Sequence, residues 1–287
     1  MKLMTNPIKF IDLFSGIGSF HYSFKKMNWE CIMACDIDKA ARDTYQENYG
    51  IVPLGDITEI VPKDIPNYDV LCAGFPCQPF SQCGKHKGFD DKRGTLFFNI
   101  MKFVEYHKPK AIILENVQGL LKHDHGNTFK RIKNDIEENN YTVTYKVIKC
   151  SDYGLPQMRK RLIIMGVRND TPLVKHIHKL LDFGDYVKEM TLSQLLGKKF
   201  EKKIAYTIRC GGRNSAINDK HNWDGYIVDG QEYRLTKNDC LKIQGFSEDF
   251  ILCGNNKDQW KQLGNTIPTI FTEMIGLNLN KHIDQIY

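Results

Sequence analysis

The stretch Ile8-Lys9-Phe10-Ile11-Asp12-Leu13-Phe14-Ser15-Gly16-Ile17-Gly18 decides the fold class. Its first six residues alternate and are rich in apolar side chains, which is the pattern of a β-strand. Glycines follow at once, and apolar residues then recur at Phe20, Phe24 and Met27, as in a helix. A strand, a glycine turn and a helix in this order open a doubly wound α/β sheet, in which cofactors bind above the carboxyl ends of the strands.

The alternation of strands and helices continues to about residue 167, and several predicted strands end at an acidic residue. Asp36 follows the strand at residues 31–35, and Glu115 follows the strand at residues 111–114. A carboxylate at such a place can accept hydrogen bonds from both hydroxyls of a ribose. Strand ends that carry glycine or acid in one sheet predict a nucleoside pocket. From residue 169 to about 230 the alternation is lost, which predicts a second, smaller module.

A reactive cysteine is predicted at Cys77, within Gly74-Phe75-Pro76-Cys77-Gln78-Pro79-Phe80-Ser81. This segment follows a short buried strand, and two prolines hold the cysteine in a stiff turn. Backbone N–H groups at such a turn favour the thiolate, which is the nucleophilic form. The alternative is that Cys77 is a small buried apolar residue, as free cysteine often is. The polar stretch at residues 82–93, with several glycines, is expected to be a mobile loop beside it.

The amino-acid composition limits the classes of protein to which this chain can belong. The chain has 287 residues, of which 41% are hydrophobic and 26% charged, enough for one large core and a smaller module. Mean hydropathy is −0.42, and the apolar runs are too short for a membrane span or a signal peptide. The nine cysteines lack the spacing of zinc sites, so we expect no metal and a reducing compartment. The net charge of +6 permits a polyanionic partner.

The chain resembles the cytosine-C5 DNA methyltransferase family, in its compact bacterial type. Six motifs carry the resemblance in the family's order, and together they span nearly the whole chain. They are Asp12-Leu13-Phe14-Ser15-Gly16-Ile17-Gly18, Gly74-Phe75-Pro76-Cys77-Gln78-Pro79-Phe80-Ser81, Glu115-Asn116-Val117, Gln157-x-Arg159-x-Arg161, Arg234-Leu235-Thr236 with Gln244-Gly245-Phe246, and Gly264-Asn265-Thr266. The resemblance implies a doubly wound, mostly parallel Rossmann-like sheet with a smaller target-recognition domain. We expect a catalytic domain at 1–188 and 264–287, and the recognition domain with its hinge segment at 189–263.

The resemblance implies a covalent mechanism. The Cys77 thiolate would attack C6 of cytosine and so activate C5 toward the methyl group of S-adenosylmethionine, leaving S-adenosylhomocysteine. Glu115 would hold or protonate N3 of the ring, and Arg161 would donate to the base O2 with Arg159 supporting nearby. A surface salt-bridge cluster is the alternative for the two arginines.

The resemblance also implies a cofactor site. The residues expected to bind S-adenosylmethionine are Phe14, Ser15, Gly16, Ile17, Gly18, Asp36, Ile37, Asp56, Ile57, Pro76, Leu96, Asn265 and Thr266. Asp36 would contact the ribose, whereas Asp56 and Ile57 would flank the adenine. Asp36 departs from the glutamate that is usual in the family.

Double-stranded DNA is the implied partner, and the target cytosine must flip out of the duplex to be reached. The residues expected to contact DNA are Phe75, Gln78, Ser81, Cys83, Lys85, Arg93, Thr207, Arg209 and Arg213. The Phe75 carbonyl would read the exocyclic amine of the base, Cys83 would fill the vacated space, and Arg93 would clamp phosphate. Arg209 and Arg213 are candidate guanine readers, with phosphate contacts as the alternative.

Other functions are weighed against this one. An RNA methyltransferase of the same fold is the main alternative, but its branch carries Pro-Pro-Cys and Cys-Phe-Thr, whereas this chain has Phe75-Pro76-Cys77 and lacks the second triplet. A nicotinamide oxidoreductase is disfavoured because His21 replaces the third glycine of Gly-x-Gly-x-x-Gly. We expect a monomer without membrane contact, with a cognate restriction endonuclease as a further candidate partner. It would be cytoplasmic and nucleoid-associated in a bacterium or phage, and nuclear or in a viral factory for a eukaryotic virus.

Overall fold

The computed structural model describes residues 7–76, 95–184 and 189–283. Within these ranges a large sheet is built from the strands Lys9–Leu13 (β1), Glu30–Cys35 (β2), Val70–Ala73 (β3), Ala111–Asn116 (β4), Tyr141–Lys149 (β5) and Lys160–Arg168 (β6). Their order is β2-β1-β3-β4-β6-β5. β1 to β4 pair in parallel, and β6 runs antiparallel between β4 and β5. The predicted doubly wound, mostly parallel sheet is confirmed.

Helices cover both faces of this sheet and form much of the remaining chain. Those of the described residues are Ser19–Lys25 (α1), Lys39–Tyr49 (α2), Thr95–His107 (α3), Asn127–Glu138 (α4), Ile177–Leu180 (α5), Leu192–Leu196 (α6), Lys237–Gln244 (α7), Asn256–Asn265 (α8) and Thr269–Ile283 (α9). A second sheet is the antiparallel hairpin of Gly225–Val228 (β7) and Gln231–Arg234 (β8). Thr236 caps α7 and forms a capping box with Asp239.

Two apolar layers bury the large sheet. Phe10 on β1 faces a layer that contains Phe24 of α1 and Phe271 of α9. The next residue, Ile11, faces the opposite layer, which contains Phe103 of α3 and the buried residues of α4. Successive side chains of a strand point to opposite faces, so a strand covered on both sides must be apolar throughout. This explains why β3 and the first four residues of β4 are continuous apolar runs.

A third apolar cluster lies apart from these layers. It is built almost entirely from residues between 192 and 263, including Trp223, Tyr226 and Trp260, and it reaches the first domain through Ile17. This separate core agrees with a second, smaller module, although the boundaries at 189 and 263 stay a prediction. None of the helices in the described ranges is long and apolar enough to cross a membrane.

The backbone of Gly264, in α8, lies directly against the backbone of Arg209 and Cys210. A Cβ at this position would overlap the backbone of Arg209 and Cys210, with the Cys210 Cα at only 2.7 Å. Both contacted groups are backbone, so neither can swing aside as a flexible side chain would.

We therefore expect Gly264→Ala to destabilise the fold, although alanine is the better helix former by about 1 kcal/mol. The overlap should outweigh that gain with a net loss of about 1–3 kcal/mol. The matched control is Gly211→Ala, where a Cβ meets open space. Urea unfolding of both variants checks this, and equal stabilities would contradict it.

Candidate active site

A cavity of about 470 Å³ lies at the carboxyl ends of β1 and β4. Its walls bring together residues that are far apart in the chain. Among the predicted site residues, the cavity is lined by Phe14, Ser15, Gly16, Ile17, Asp36, Ile37, Phe75, Pro76, Glu115, Arg159, Arg161, Asn265 and Thr266. The expected meeting of cofactor and catalytic residues at one edge of the sheet is what parallel strands produce.

Glu115 and Arg161 form a buried ion pair inside this cavity. Glu115 ends β4 and Arg161 starts the neighbouring β6, so sheet pairing carries the two side chains to the same place. Arg161 Nε lies 2.6 Å from Glu115 Oε1. Burial raises the pKa of the Glu115 carboxyl, although both Arg161 and Arg159 act to lower it. The Glu115 carboxyl group therefore stays protonated to a higher pH than the carboxyl group of an exposed glutamate.

Arg159 is buried and holds backbone atoms. Its guanidinium, only 1% exposed, donates to the carbonyl of Ile208 at 2.9 Å and to the carbonyl of Gly264 at 3.0 Å. Burial, and then the charge of Arg161, lower the pKa of Arg159 to about 9. The arginine thus joins the start of β6 to the end of α8 and to the segment that opens the recognition region.

Two glutamines extend this connection, and the sequence interpretation gave neither a role. Gln157 Oε1 accepts from the backbone N–H of Ile208 at 3.2 Å, and Gln157 Nε2 donates to Gln244 Oε1 at 3.2 Å. Gln244 in turn donates to the carbonyl of Leu263 at 2.8 Å. Both glutamines are fully buried. In the sequence, only their positions within the quoted motifs mark these glutamines as candidates. A sequence pattern does not show which buried side-chain amides form hydrogen bonds with each other.

A second cavity, of about 630 Å³, adjoins the first. Asp56 and Ile57, which are predicted to flank the adenine, line it together with the predicted cofactor residue Leu96. The walls shared by the two cavities are Phe14, Asp36, Ile37 and Pro76. The two cavities therefore lie side by side along the strand ends, an arrangement that suits a long, partly polar ligand such as a nucleoside with an amino-acid chain.

The turn after β1 has a left-handed backbone at three residues, a conformation that lets a ligand approach the main chain closely. Phe14, Gly16 and Gly18 all have positive φ, at 55°, 53° and 85°. Asp36, at the next strand end, fixes this turn because its Oδ2 accepts from Gly16 N at 2.8 Å. Its Oδ1 accepts from Asp38 N at 2.8 Å. Gly18, at the end of this turn, is a predicted site residue that lines neither cavity.

Two buried oxygens beside this turn lack hydrogen-bond partners among the described residues. They are Asp12 Oδ2 and Ser15 Oγ, and both residues line the first cavity. Burial, and to a smaller extent Asp36, raise the pKa of Asp12. Buried polar atoms without partners are uncommon, so these two indicate a ligand with complementary polar groups. From the sequence, Asp12 was predicted only as a residue of the first strand, with no role in the site.

The predicted residues Cys77, Gln78, Ser81, Cys83, Lys85 and Arg93 lie outside the described residues. Of the same segment the structure describes Phe75 and Pro76. The Phe75 carbonyl accepts from Asn116 Nδ2 at 2.9 Å, which ties the residue before Pro76 to the end of β4. The cysteine segment therefore begins inside the cavity that holds Glu115.

The predicted DNA-contacting arginines are placed differently. Arg209 is exposed, and its guanidinium donates to the carbonyl of His221. Arg213 is partly buried, with Nε 3.4 Å from Asp224 Oδ2 and its guanidinium carbon 3.6 Å from the centre of the Trp260 ring. Asp224, fully buried, was not predicted to matter. Thr207, the other predicted contact in this region, is partly buried next to Ile208.

A model of the family described as C-5 cytosine-specific DNA methylase matches residues 8–227 and 184–281. The chain belongs to this family. It is therefore a DNA cytosine-5-methyltransferase with S-adenosylmethionine as methyl donor, as expected, and the alternative RNA methyltransferase is not favoured. In the parts of this methyltransferase that the structure describes, no cluster of three or more His, Cys, Asp or Glu could hold a metal ion.

Individual proteins agree with the family. Type II methyltransferase M.DsaV of Dactylococcopsis salina is 36% identical, covering 96% of this chain and 87% of the relative. Type II methyltransferase M.HhaI of Haemophilus parahaemolyticus is 32% identical, covering 96% and 95%. The structure of Entamoeba histolytica methyltransferase EhMeth superposes with a TM-score of 0.74 at 21% identity, covering 99% of this chain and 100% of that one. That structural likeness supports the fold.

The Glu115–Arg161 pair generates a titration prediction. In Arg161→Met the pKa of the Glu115 carboxyl should rise further, because burial would then be opposed by one cation fewer. The measurement is a carbon-13 NMR titration of the glutamate carboxyl. Arg168→Met, on the same strand but paired with Asp170, is the control and should leave Glu115 unchanged. An unaltered or lower pKa in Arg161→Met would show that the ion pair does not govern this carboxyl.

Proposed function

We propose that this methyltransferase acts on a cytosine flipped out of a short specific site in double-stranded DNA, through a covalent bond between Cys77 and C6 of the base. The observation that carries the proposal is the buried Glu115–Arg161 ion pair at 2.6 Å. It lies in the same cavity as Pro76, the residue before Cys77. An acid and a cation fixed beside a nucleophile suit addition to a pyrimidine ring.

Cys77 is the proposed nucleophile because C5 of cytosine is itself a poor one. When the thiolate bonds to C6, the electrons of the C5–C6 double bond move toward C5, and the ring becomes enamine-like. After methylation, loss of the C5 proton restores the double bond, and the S–C6 bond breaks to release the thiolate. The thiolate is thus recovered unchanged, and the proton leaves to a base that the sequence does not identify.

Glu115 is the proposed acid at N3 of the ring. Addition of the thiolate places negative charge on the ring, and a proton or hydrogen bond at N3 stabilises it. The raised pKa of Glu115 favours the form that donates. Arg161 Nη1 donates to the carbonyl of Lys160 at 2.8 Å and Nε faces Glu115. We therefore assign Nη2 to the base O2, and Arg159 to support of the surrounding backbone.

S-Adenosylmethionine supplies, when bound, a methyl group on a sulfonium sulfur that the activated C5 can take. We propose that Asp36 binds the ribose hydroxyls, since each of its oxygens keeps a lone pair beyond its single backbone hydrogen bond. The adenine would lie between Asp56, Ile57 and Leu96. The turn at residues 14–18, with Asn265 and Thr266 opposite, would enclose the amino-acid part, whose charged groups suit the unpartnered oxygens of Asp12 and Ser15.

We propose that the recognition domain, residues 189–263, reads DNA through its exposed loop after Thr207. Arg209 is the candidate base reader because its side chain is exposed. The contacts of Arg213 with Asp224 and Trp260 favour a supporting role for this residue instead. The Phe75 carbonyl keeps one lone pair for the cytosine amine beside its bond to Asn116. For Gln78, Ser81, Cys83, Lys85 and Arg93 the roles inferred from sequence stand as proposed DNA contacts.

The relatives suggest the biological setting. Both are named type II methyltransferases, so we propose that this enzyme belongs to a restriction-modification system with a cognate restriction endonuclease. It would act as a monomer in the cytoplasm, associated with the nucleoid.

Cys77→Ser tests the proposed mechanism. Methyl transfer should fall by roughly 10³-fold or more, because removal of a nucleophile abolishes the covalent route. Binding of S-adenosylmethionine, measured by calorimetry, should remain near normal. The control is Cys253→Ser, a partly exposed cysteine with no proposed role, which should keep full activity. DNA with 5-fluorocytosine at the target should also trap a covalent complex with the wild-type enzyme. Retained activity in Cys77→Ser would refute the mechanism.

Arg209 and Arg213 can be separated by the sequence that the variants methylate. Arg209→Ala should lose about 10- to 100-fold in kcat/KM at the natural site and relax the preference at one base, as for a lost bidentate contact. Arg213→Lys should instead lower the melting temperature and leave the preferred sequence unaltered. Bisulfite sequencing of a randomised plasmid library reports the preference. A changed base preference in Arg213→Lys would identify that residue as a reader.

A further inference from the structure

Tyr49, the last residue of α2, lies behind the turn that lines the first cavity. Its hydroxyl donates to the carbonyl of Gly18 at 2.8 Å and lies 3.2 Å from the carbonyl of Ile17. Its ring packs directly on Gly18, since a Cβ there would overlap the ring. One side chain therefore fixes the end of this turn both by hydrogen bonding and by contact.

The two carbonyls depend on Tyr49 to different degrees. The Gly18 carbonyl also accepts from the backbone N–H of Tyr22 at 2.8 Å, as the first bond of α1. The Ile17 carbonyl shares the hydroxyl proton of Tyr49 at the longer distance of 3.2 Å, and the described residues give it no other hydrogen bond. Ile17 lines the cavity and also contacts the third apolar cluster. Loss of the hydroxyl would therefore loosen the turn at the residue that connects the cavity wall to the second module.

The rings of His21 and Tyr45 pack against the ring of Tyr49. The His21 ring stacks on the Tyr49 ring, with centroids 4.2 Å apart and planes 14° from parallel. His21 Nδ1 shares a hydrogen bond with the Tyr45 hydroxyl at 2.8 Å. Burial lowers the pKa of His21 to about 4 and raises the pKa of Tyr49. Both rings are therefore neutral near pH 7, and the wall behind the turn does not change charge.

We propose that Tyr49 is a positioning residue for S-adenosylmethionine, which sets the turn at Ile17-Gly18 in its binding conformation before the cofactor arrives. This inference rests on the proposed placement of the cofactor along residues 14–18. A turn that is already ordered loses less conformational entropy on binding, so pre-organisation appears as affinity. The hydroxyl would contribute to cofactor binding without touching the cofactor.

The chain offers a matched pair of substitutions. Tyr49→Phe removes one oxygen and keeps the ring that packs on Gly18. Tyr45→Phe removes a buried hydroxyl from the same helix, but its partners are His21 and Cys31, and none is a backbone group of the turn. Any general cost of deleting a buried phenol hydroxyl is common to both variants, whereas support of the turn is lost only in the first.

In Tyr49→Phe the dissociation constant for S-adenosylmethionine, measured by calorimetry, should rise about three- to tenfold, the loss of one hydrogen bond. KM for the cofactor should rise in parallel, whereas kcat at saturating cofactor and KM for DNA should not change. Tyr45→Phe should lower the melting temperature and bind the cofactor as the wild type does. Normal cofactor binding in Tyr49→Phe, or equal weakening in both variants, would overturn the proposal.

Asp36→Ala separates this proposal from the placement of the cofactor. If it weakens binding while Tyr49→Phe does not, the cofactor lies where we propose and only the role of Tyr49 is wrong. If Asp36→Ala binds S-adenosylmethionine like the wild type, the placement itself fails, and the inference about Tyr49 fails with it.

Discussion

The buried guanidinium of Arg159 is the constraint on which the arrangement of this enzyme depends. A charge 1% exposed is costly unless polar groups surround it, and here two backbone carbonyls, of Ile208 and Gly264, accept from it. The two carbonyls belong to segments that are distant in the chain. Arg159 therefore favours docking of the segment around Ile208 and of the end of α8 beside the start of β6.

Arg159 and Arg161 are two residues apart but have different roles. The more deeply buried Arg159 binds backbone carbonyls, whereas Arg161 pairs with Glu115. Side chains at i and i+2 of an extended segment point the same way, so Arg159 and Arg161 both face the cavity. Arg161 meets the carboxylate of Glu115, whereas Arg159 meets only neutral carbonyls. The charge of Arg161 lowers the pKa of Arg159, and both arginines oppose the rise in the pKa of Glu115. The proton affinity of Glu115 is therefore set by its burial and by the two arginines together.

The sequence predicted the sheet because its signals are local. The alternation in residues 8–13, the glycines of the turn and the acids at strand ends each depend on neighbours along the chain. The antiparallel insertion of β6 between β4 and β5 depends on pairing over long distances, and no local pattern marks it. For the same reason Asp12, Gln157 and Asp224 were missed: a buried polar side chain is recognised by its partners, and partners that are distant in sequence cannot be read from periodicity.

Arg213 shows the same limit at the proposed DNA surface. An arginine in a basic, glycine-rich loop reads as a DNA contact, but the buried carboxylate of Asp224 engages Arg213, Arg234 and the backbone N–H of Asn214. Side chains in and near the hairpin also bind the backbone of this loop. Trp223 Nε1 donates to the Gly211 carbonyl, and Arg234 donates to the Ser215 carbonyl.

A loop anchored by backbone atoms and one buried acid does not rely on its exposed side chains for its shape. The side chains at 218, 220 and 221 are exposed, and surface substitutions away from anchoring groups cost little stability. The exposed positions can therefore change without refolding the loop, whereas Asp224 and its arginines cannot. With the DNA-reading role proposed above, this division would let the loop acquire different DNA preferences without altering the cavity around Arg159.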